Sequence, residues 1–168
     1  MKKWIITSFL LVALFMIFYP FCNVLSFTET RTDEPKQYIF SLKQQSMFQL
    51  IFTHSIHLTD VIETYEALET NELRLISMEY EDVAIGMPAY AEEGQTLIYE
   101  DGTYKLSYEQ AVLPNFTLYI GDVDYELSLV HQGEKIDLKK RLQRGKSYLI
   151  EVHTISLFHL WIGDELND

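Results

Sequence analysis

The residues best suited to chemistry cluster at His54-Ser55-Ile56-His57, with Asp60 and Glu63 close behind. Imidazole and carboxylate together can hold a divalent cation or move a proton. The segment follows one apolar run and precedes another, which places it at a turn. On a regular strand, residues three apart face opposite sides. Only a turn or bulge would therefore bring His54 and His57 together. A metal ion needs at least one more ligand, and Asp60 or Glu63 is the nearest. The metal set on offer is thus His54, His57 and Glu63, in a spacing that matches no established metal signature. The plainer reading is polar histidines in a turn. His153 and His159 are six apart, so on an extended strand they share a face with Ile155, Leu157 and Trp161.

Other chemistries find less support. There is no Gly-x-Ser-x-Gly elbow and no glycine-rich phosphate loop. Ser55 beside His54 is adjacency in sequence, whereas a catalytic triad is a spatial arrangement. Cys22 is the single cysteine, so an intramolecular disulfide and a cysteine-based zinc cluster are both excluded. The 25 acids single out no pair by spacing for glycoside chemistry. Asn115-Phe116-Thr117 fits a glycosylation pattern, but the short basic N-terminus and acidic remainder have a bacterial look. Gly86-Met87-Pro88 lies within an apolar patch, Ala84-Ile85 and Ala89-Tyr90, that either packs onto the domain or forms a binding surface.

The elements that position these residues begin with an unusual N-terminus. Lys2 and Lys3 precede 25 residues, 4 to 28, without a charge. A bilayer-spanning helix needs roughly 20 apolar residues, and the lysines set the N-terminus in the cytoplasm with the rest outside. Residues 1–27 read as a signal anchor. A cleaved signal peptide with a processing site at Val24-Leu25-Ser26, or lipidation at Cys22, are the alternatives. Each reading exports the remainder, either held at the cell membrane or, after cleavage, secreted or periplasmic. Without Lys2 and Lys3 that remainder holds 11 basic residues against 25 acids, a net charge of −14. Such a domain is a poor nucleic-acid binder and is repelled by anionic lipid.

Residues 28–36 read as a polar linker and 37–168 as an exported β-domain. Apolar residues then recur with period two. The runs are 38–42, 47–53, 61–68, 73–80, 96–99, 103–106, 116–120 and 125–129, closed by 147–161 as one long strand or a strand pair. Thr70-Asn71-Glu72 and Asp101-Gly102 suit hairpin turns. Segments 95–108 and 116–129 both look like hairpins. Only 135–144 and 62–68 could be forced into helix. About nine short strands predict a mainly β fold, an antiparallel sandwich or barrel-like domain after one transmembrane helix.

The order Thr53-His54-Ser55-Ile56, Glu63, Gly86-Met87-Pro88-Ala89, Glu100-Asp101-Gly102, Leu113-Pro114 and Gly121 resembles the family called domain of unknown function 1850. The resemblance covers about residues 45 to 155. Ile56 stands where that family has valine, and Ala84 where it often has glycine. The resemblance implies that His54, Ser55, Glu63, Gly86, Met87 and Pro88 form one shared ligand site, and His57 falls outside its pattern. It also implies small exported proteins encoded beside TRAP transporters of the TAXI type, hence a permease or solute-binding protein as partner. The expected function is an accessory or interaction component of such a transporter. The alternative is a small-ligand or metal-ion-binding domain using the His54, Ser55 and Glu63 region. A hydrolase ranks third, and no cofactor is expected.

Overall fold

The computed structural model describes residues 2–42, 45–164 and 166. The uncharged N-terminal stretch is not one helix. Helix α1 (Lys2–Phe18) ends before Pro20, and strand β1 (Pro20–Glu29) follows at once. Proline removes a backbone donor and disfavours helix at the residue before it. Beyond it, Val24, Leu25, Ser26 and Phe27 are buried. Among the described residues no helix is long and apolar enough to cross a membrane.

β1 lies inside a four-stranded antiparallel sheet with β2 (Gln37–Ser41), β8 (Phe116–Tyr119) and β11 (Ser147–Ser156), in the order β2-β1-β11-β8. β1 runs against β11 from Pro20 opposite Ser156 to Glu29 opposite Tyr148. The polar linker is accordingly shorter than expected, because Thr28 and Glu29 belong to β1. Glu29 is buried and pairs with Lys146 at 3.2 Å. Cleavage at Val24-Leu25-Ser26 would cut through a central strand.

The second sheet holds seven antiparallel strands in the order β10-β9-β3-β4-β5-β7-β6. Their ranges are β3 (Met47–Thr53), β4 (Asp60–Ala67), β5 (Leu73–Tyr80), β6 (Gln95–Glu100), β7 (Thr103–Leu113), β9 (Leu127–His131) and β10 (Glu134–Asp137). Two hairpins form where expected, with Asn71 at φ 62° between β4 and β5, and Asp101 and Gly102 at φ 50° and 85° between β6 and β7. Segment 116–129 is not a hairpin. β8 pairs with β11 in the small sheet while β9 pairs with β3 in the large one, so residues 120–126 carry the chain across. Segment 62–68 is strand. Segment 135–144 splits into β10 and the single turn α2 (Leu138–Arg141), capped by the Asp137 carboxylate. The closing segment is β11 followed by the short helix α3 (Leu157–Ile162). Among the described residues, eleven strands in two sheets therefore make a mainly β, sandwich-like domain.

The core lies between the sheets. Leu25, Phe27, Phe40, Tyr148 and Ile150 of the small sheet meet Phe48, Leu50, Tyr65, Leu73 and Leu129 of the large one. His131 closes one edge, its ring nitrogens 2.9 Å from the carbonyl oxygens of Met47 and Leu42. The larger sheet overhangs the smaller at β5, β7 and β6. There a second cluster forms from Val61, Met78, Tyr80 and Leu106, roofed by Met87.

Phe27→Ala should cost about 3–5 kcal/mol, the range for emptying a buried aromatic site, read as a fall in urea midpoint. A fragment beginning at residue 28 should give no cooperative unfolding transition, whereas one beginning at Pro20 should give one. Cooperative unfolding of the shorter fragment would refute the placement of β1.

Candidate functional site

The interior face of the large sheet carries one row of residues in register across seven strands: Ile136, Leu129, Leu50, Glu63, Met78, Leu106 and Leu97. Six are apolar and the remaining one is a carboxylic acid. Strand alternation forces this placement. Val61, Glu63, Tyr65 and Ala67 of β4 point to one side, and Val61, Tyr65 and Ala67 are core residues. Glu63 sits at the seam between the two core clusters, where the small sheet stops covering the large one.

Tyr65, two residues along the same face, donates its hydroxyl to Glu63 Oε2 at 2.8 Å. Its ring stacks between Phe48 at 5.5 Å and Phe116 at 5.2 Å, so three aromatic rings bridge the sheets beside the acid. Burial pushes the Glu63 carboxyl above the usual carboxylate range, and the Tyr65 hydrogen bond offsets part of that rise. Burial and the neighbouring Glu63 together push the Tyr65 phenol far up, so Tyr65 stays a hydrogen-bond donor. Burial and the charge of Glu63 also raise Tyr108 on β7.

Above this pair a cleft of about 440 Å³ opens between the sheets. Leu50, Phe52, Tyr65, Phe116 and Leu118 form its apolar walls, with Glu63 among them. Ser55, Tyr125, Glu126 and Lys139 border it as well. The volume suits a small organic molecule, and few polar groups on mostly apolar walls is the usual make-up of a ligand site. A neighbouring hollow of about 500 Å³ is charged instead. Its Lys135 pairs with Glu126 and its Arg144 with Asp124, so these charges already satisfy one another.

The structure divides the residues singled out from sequence. Ser55 and Glu63 both line the cleft. His54 stays at the turn, where its amide donates to the Thr59 carbonyl and its Nδ1 accepts from the Ile56 amide at 3.4 Å. The turn does bring the two histidines together, ring on ring at 5.6 Å, with Asp82 3.8 Å from His57 Nδ1. Glu63 is engaged by Tyr65. Among the described residues no group of three or more His, Cys, Asp or Glu side chains is arranged to hold a metal ion.

Gly86, Met87 and Pro88 line a different hollow, of about 620 Å³, over the second cluster. Met87 is buried there, the Pro88 carbonyl accepts from the Tyr80 hydroxyl, and Gly86 takes the φ of 85° that the turn requires. His153 and His159 do not share a strand face, because α3 begins between them. The Ser156 hydroxyl caps that helix at the His159 amide and lies 2.9 Å from His159 Nδ1. Tyr65 and Phe116 are the site residues that sequence reasoning passed over. Tyr65 had a signal, being two residues from Glu63 on an alternating strand. Phe116 had none, since it comes from the opposite sheet.

These features define a class: a two-sheet β-domain with a partly buried acid in an apolar inter-sheet cleft. Residues 48–138, more than half of the chain, match the family described as domain of unknown function (DUF1850), and the chain belongs to that family. No curated protein and no solved structure matches it.

The raised carboxyl gives a pH test. Folded Glu63 holds its proton more tightly than unfolded Glu63. Its contribution to stability is therefore full below the ordinary carboxylate value and is lost as pH rises through the raised folded value. Glu63→Gln should remove that slope, so the variant gains on the parent in urea midpoint as pH rises above the ordinary glutamate value of about 4.3. A constant difference above that value would refute the raised carboxyl.

Proposed function

We propose that this protein is a membrane-anchored, extracytoplasmic binding domain that holds a small amphiphilic amine in the inter-sheet cleft, its ammonium head on Glu63. One observation carries the reading: an acid stands where every other residue of its row, from Ile136 on β10 to Leu97 on β6, is Leu, Met or Ile. Packing alone favours an apolar residue at such a position, because charging a buried carboxyl is costly. An ammonium group restores the ionised form by placing an opposite charge beside it. The apolar walls accept the rest of the molecule. The net negative domain attracts cations over longer range.

The anchor reading is supported by α1. Its side chains from Trp4 to Phe18 are apolar on every face apart from Thr7 and Ser8, and nearly all are exposed. A helix apolar all round belongs in protein or lipid and not in water. The cleft lies toward the opposite end of the small sheet. β8 pairs with the Ser147–Ile150 half of β11, about 20 Å along the strand from Ser156, where α1 and α3 meet it. A ligand therefore enters from the aqueous side.

Hexylamine should raise the melting temperature of the full chain in nanodiscs, and hexanol and hexanoate should not. Glu63→Leu should melt higher than the parent and lose the hexylamine shift. A shift retained by Glu63→Leu, or one given by hexanoate instead, would refute the proposal.

A partner reading stands beside it, favoured by edge strand β6, whose Ile98 and Tyr99 are exposed at an unpaired sheet edge. In that reading the domain adds a strand to a TRAP-type permease or solute-binding protein. A tagged chain should then recover transporter subunits from native membranes, and Ile98→Lys should abolish the recovery. Recovery unaffected by Ile98→Lys would exclude β6 as the contact.

A further inference from the structure

α3 is a six-residue helix with no buried residue, yet it is held firmly. Ser156 caps its start. At its end Gly163 packs so closely on Ile39 that an added Cβ would lie 2.5 Å from the Ile39 side chain. Beyond Gly163 the chain returns to β2, with Ile39 N–H donating to Asp164 O and Leu166 N–H to Ile39 O. A helix pinned at both ends still presents Leu157, Trp161 and Ile162 outward, Trp161 at 83% exposure.

Its position explains what covers it. Pro20 pairs with Ser156, so α1 and α3 leave the same end of the small sheet side by side. The Phe158 ring packs against that of Phe18, tilted by 37° with centroids 5.1 Å apart. Four residues on, Ile162 shares the face of Phe158, and Trp161 shares that of Leu157. With exposed Phe18, Tyr19 and Phe21 they gather apolar side chains at the root of α1. From Val152 to Gly163 the chain carries no acid, although the protein as a whole has 25.

α1 is also short. Its 17 residues span about 25 Å, less than the roughly 30 Å of a bilayer's hydrocarbon core. A short anchor thins the bilayer locally or draws its flanks inward. Those flanks carry the aromatic side chains gathered at its root, and tryptophan and tyrosine favour that depth.

We propose that α3, with Tyr19 and Phe21, lies in the headgroup region of the bilayer and seats the β-domain against the membrane surface. The occupant of the patch is lipid. The net charge of the domain opposes binding to anionic lipid, so the seat depends on apolar insertion and forms on zwitterionic membranes. This rests on the anchor reading for α1.

The two tryptophans, Trp4 and Trp161, allow the two readings to be tested separately. The full chain is reconstituted in phosphatidylcholine vesicles, either plain or brominated near the headgroup end of the acyl chains. In Trp4→Phe, emission from Trp161 should be blue-shifted, strongly quenched by the brominated lipid and little affected by aqueous iodide. Iodide quenching without lipid quenching overturns the seat. Blue-shifted emission quenched by neither overturns it too, and assigns the patch to protein. In Trp161→Phe, Trp4 reports on α1 alone. Lipid quenching of Trp4 without that of Trp161 removes the seat and leaves the anchor standing, whereas loss of both removes the anchor.

Discussion

The antiparallel pairing of β1 with β11 is the constraint on which the rest of this structure depends. It places a strand from the uncharged N-terminal stretch beside the last strand of the domain. Leu25 and Phe27 thereby become core residues, each contributing about 1.5–3 kcal/mol through burial. The same pairing completes the small sheet, without which the inner face of the large sheet would lie open. It also brings α1 and α3 to one end of the molecule, whereas β8 and the cleft lie toward the other.

The unequal width of the two sheets creates the site. Where four strands cover seven, the apolar faces close into a core, and where the small sheet ends the large one must be roofed by other means. The Gly86–Pro88 turn supplies that roof over Met78, Tyr80 and Leu106. Glu63 falls between the two covered regions, near enough to apolar neighbours for its carboxyl to be raised and near enough to the cleft to meet a ligand. Tyr65 limits the cost by donating a hydrogen bond to the acid. A well-packed sandwich with leucine at this position would be simpler to stabilise, and the proposed role of the acid starts from that cost.

Much of this was legible in the residues. Period-two alternation located eight of the strands to within a few positions, and the Asn71 and Asp101-Gly102 turns followed from tolerance of positive φ. His54, Ser55 and Glu63 were grouped as polar residues around one strand–turn–strand; the structure sets Ser55 and Glu63 on the cleft and leaves His54 in the turn. The length of the N-terminal helix was misread, because an apolar strand buried on both faces has the composition of a membrane helix. Only Pro20 marked the break. The 116–129 segment was misread because a loop that crosses between sheets has the same length and turn residues as a hairpin.

By itself the sequence determined the β character of the domain, its acidic surface, the turn at residues 54–59 and the alternation that puts Glu63 and Tyr65 on one face. These are local properties, set by side-chain period and backbone preference within a few residues. The tertiary structure decided that β1 belongs to the domain, that Met87 roofs a separate cluster, and that Phe116 completes the ring stack over Glu63. It also set α3 beside α1. Each of those depends on which strand lies next to which across long separations in sequence. That choice follows from the summed burial of two sheet faces, a quantity no short window of residues contains.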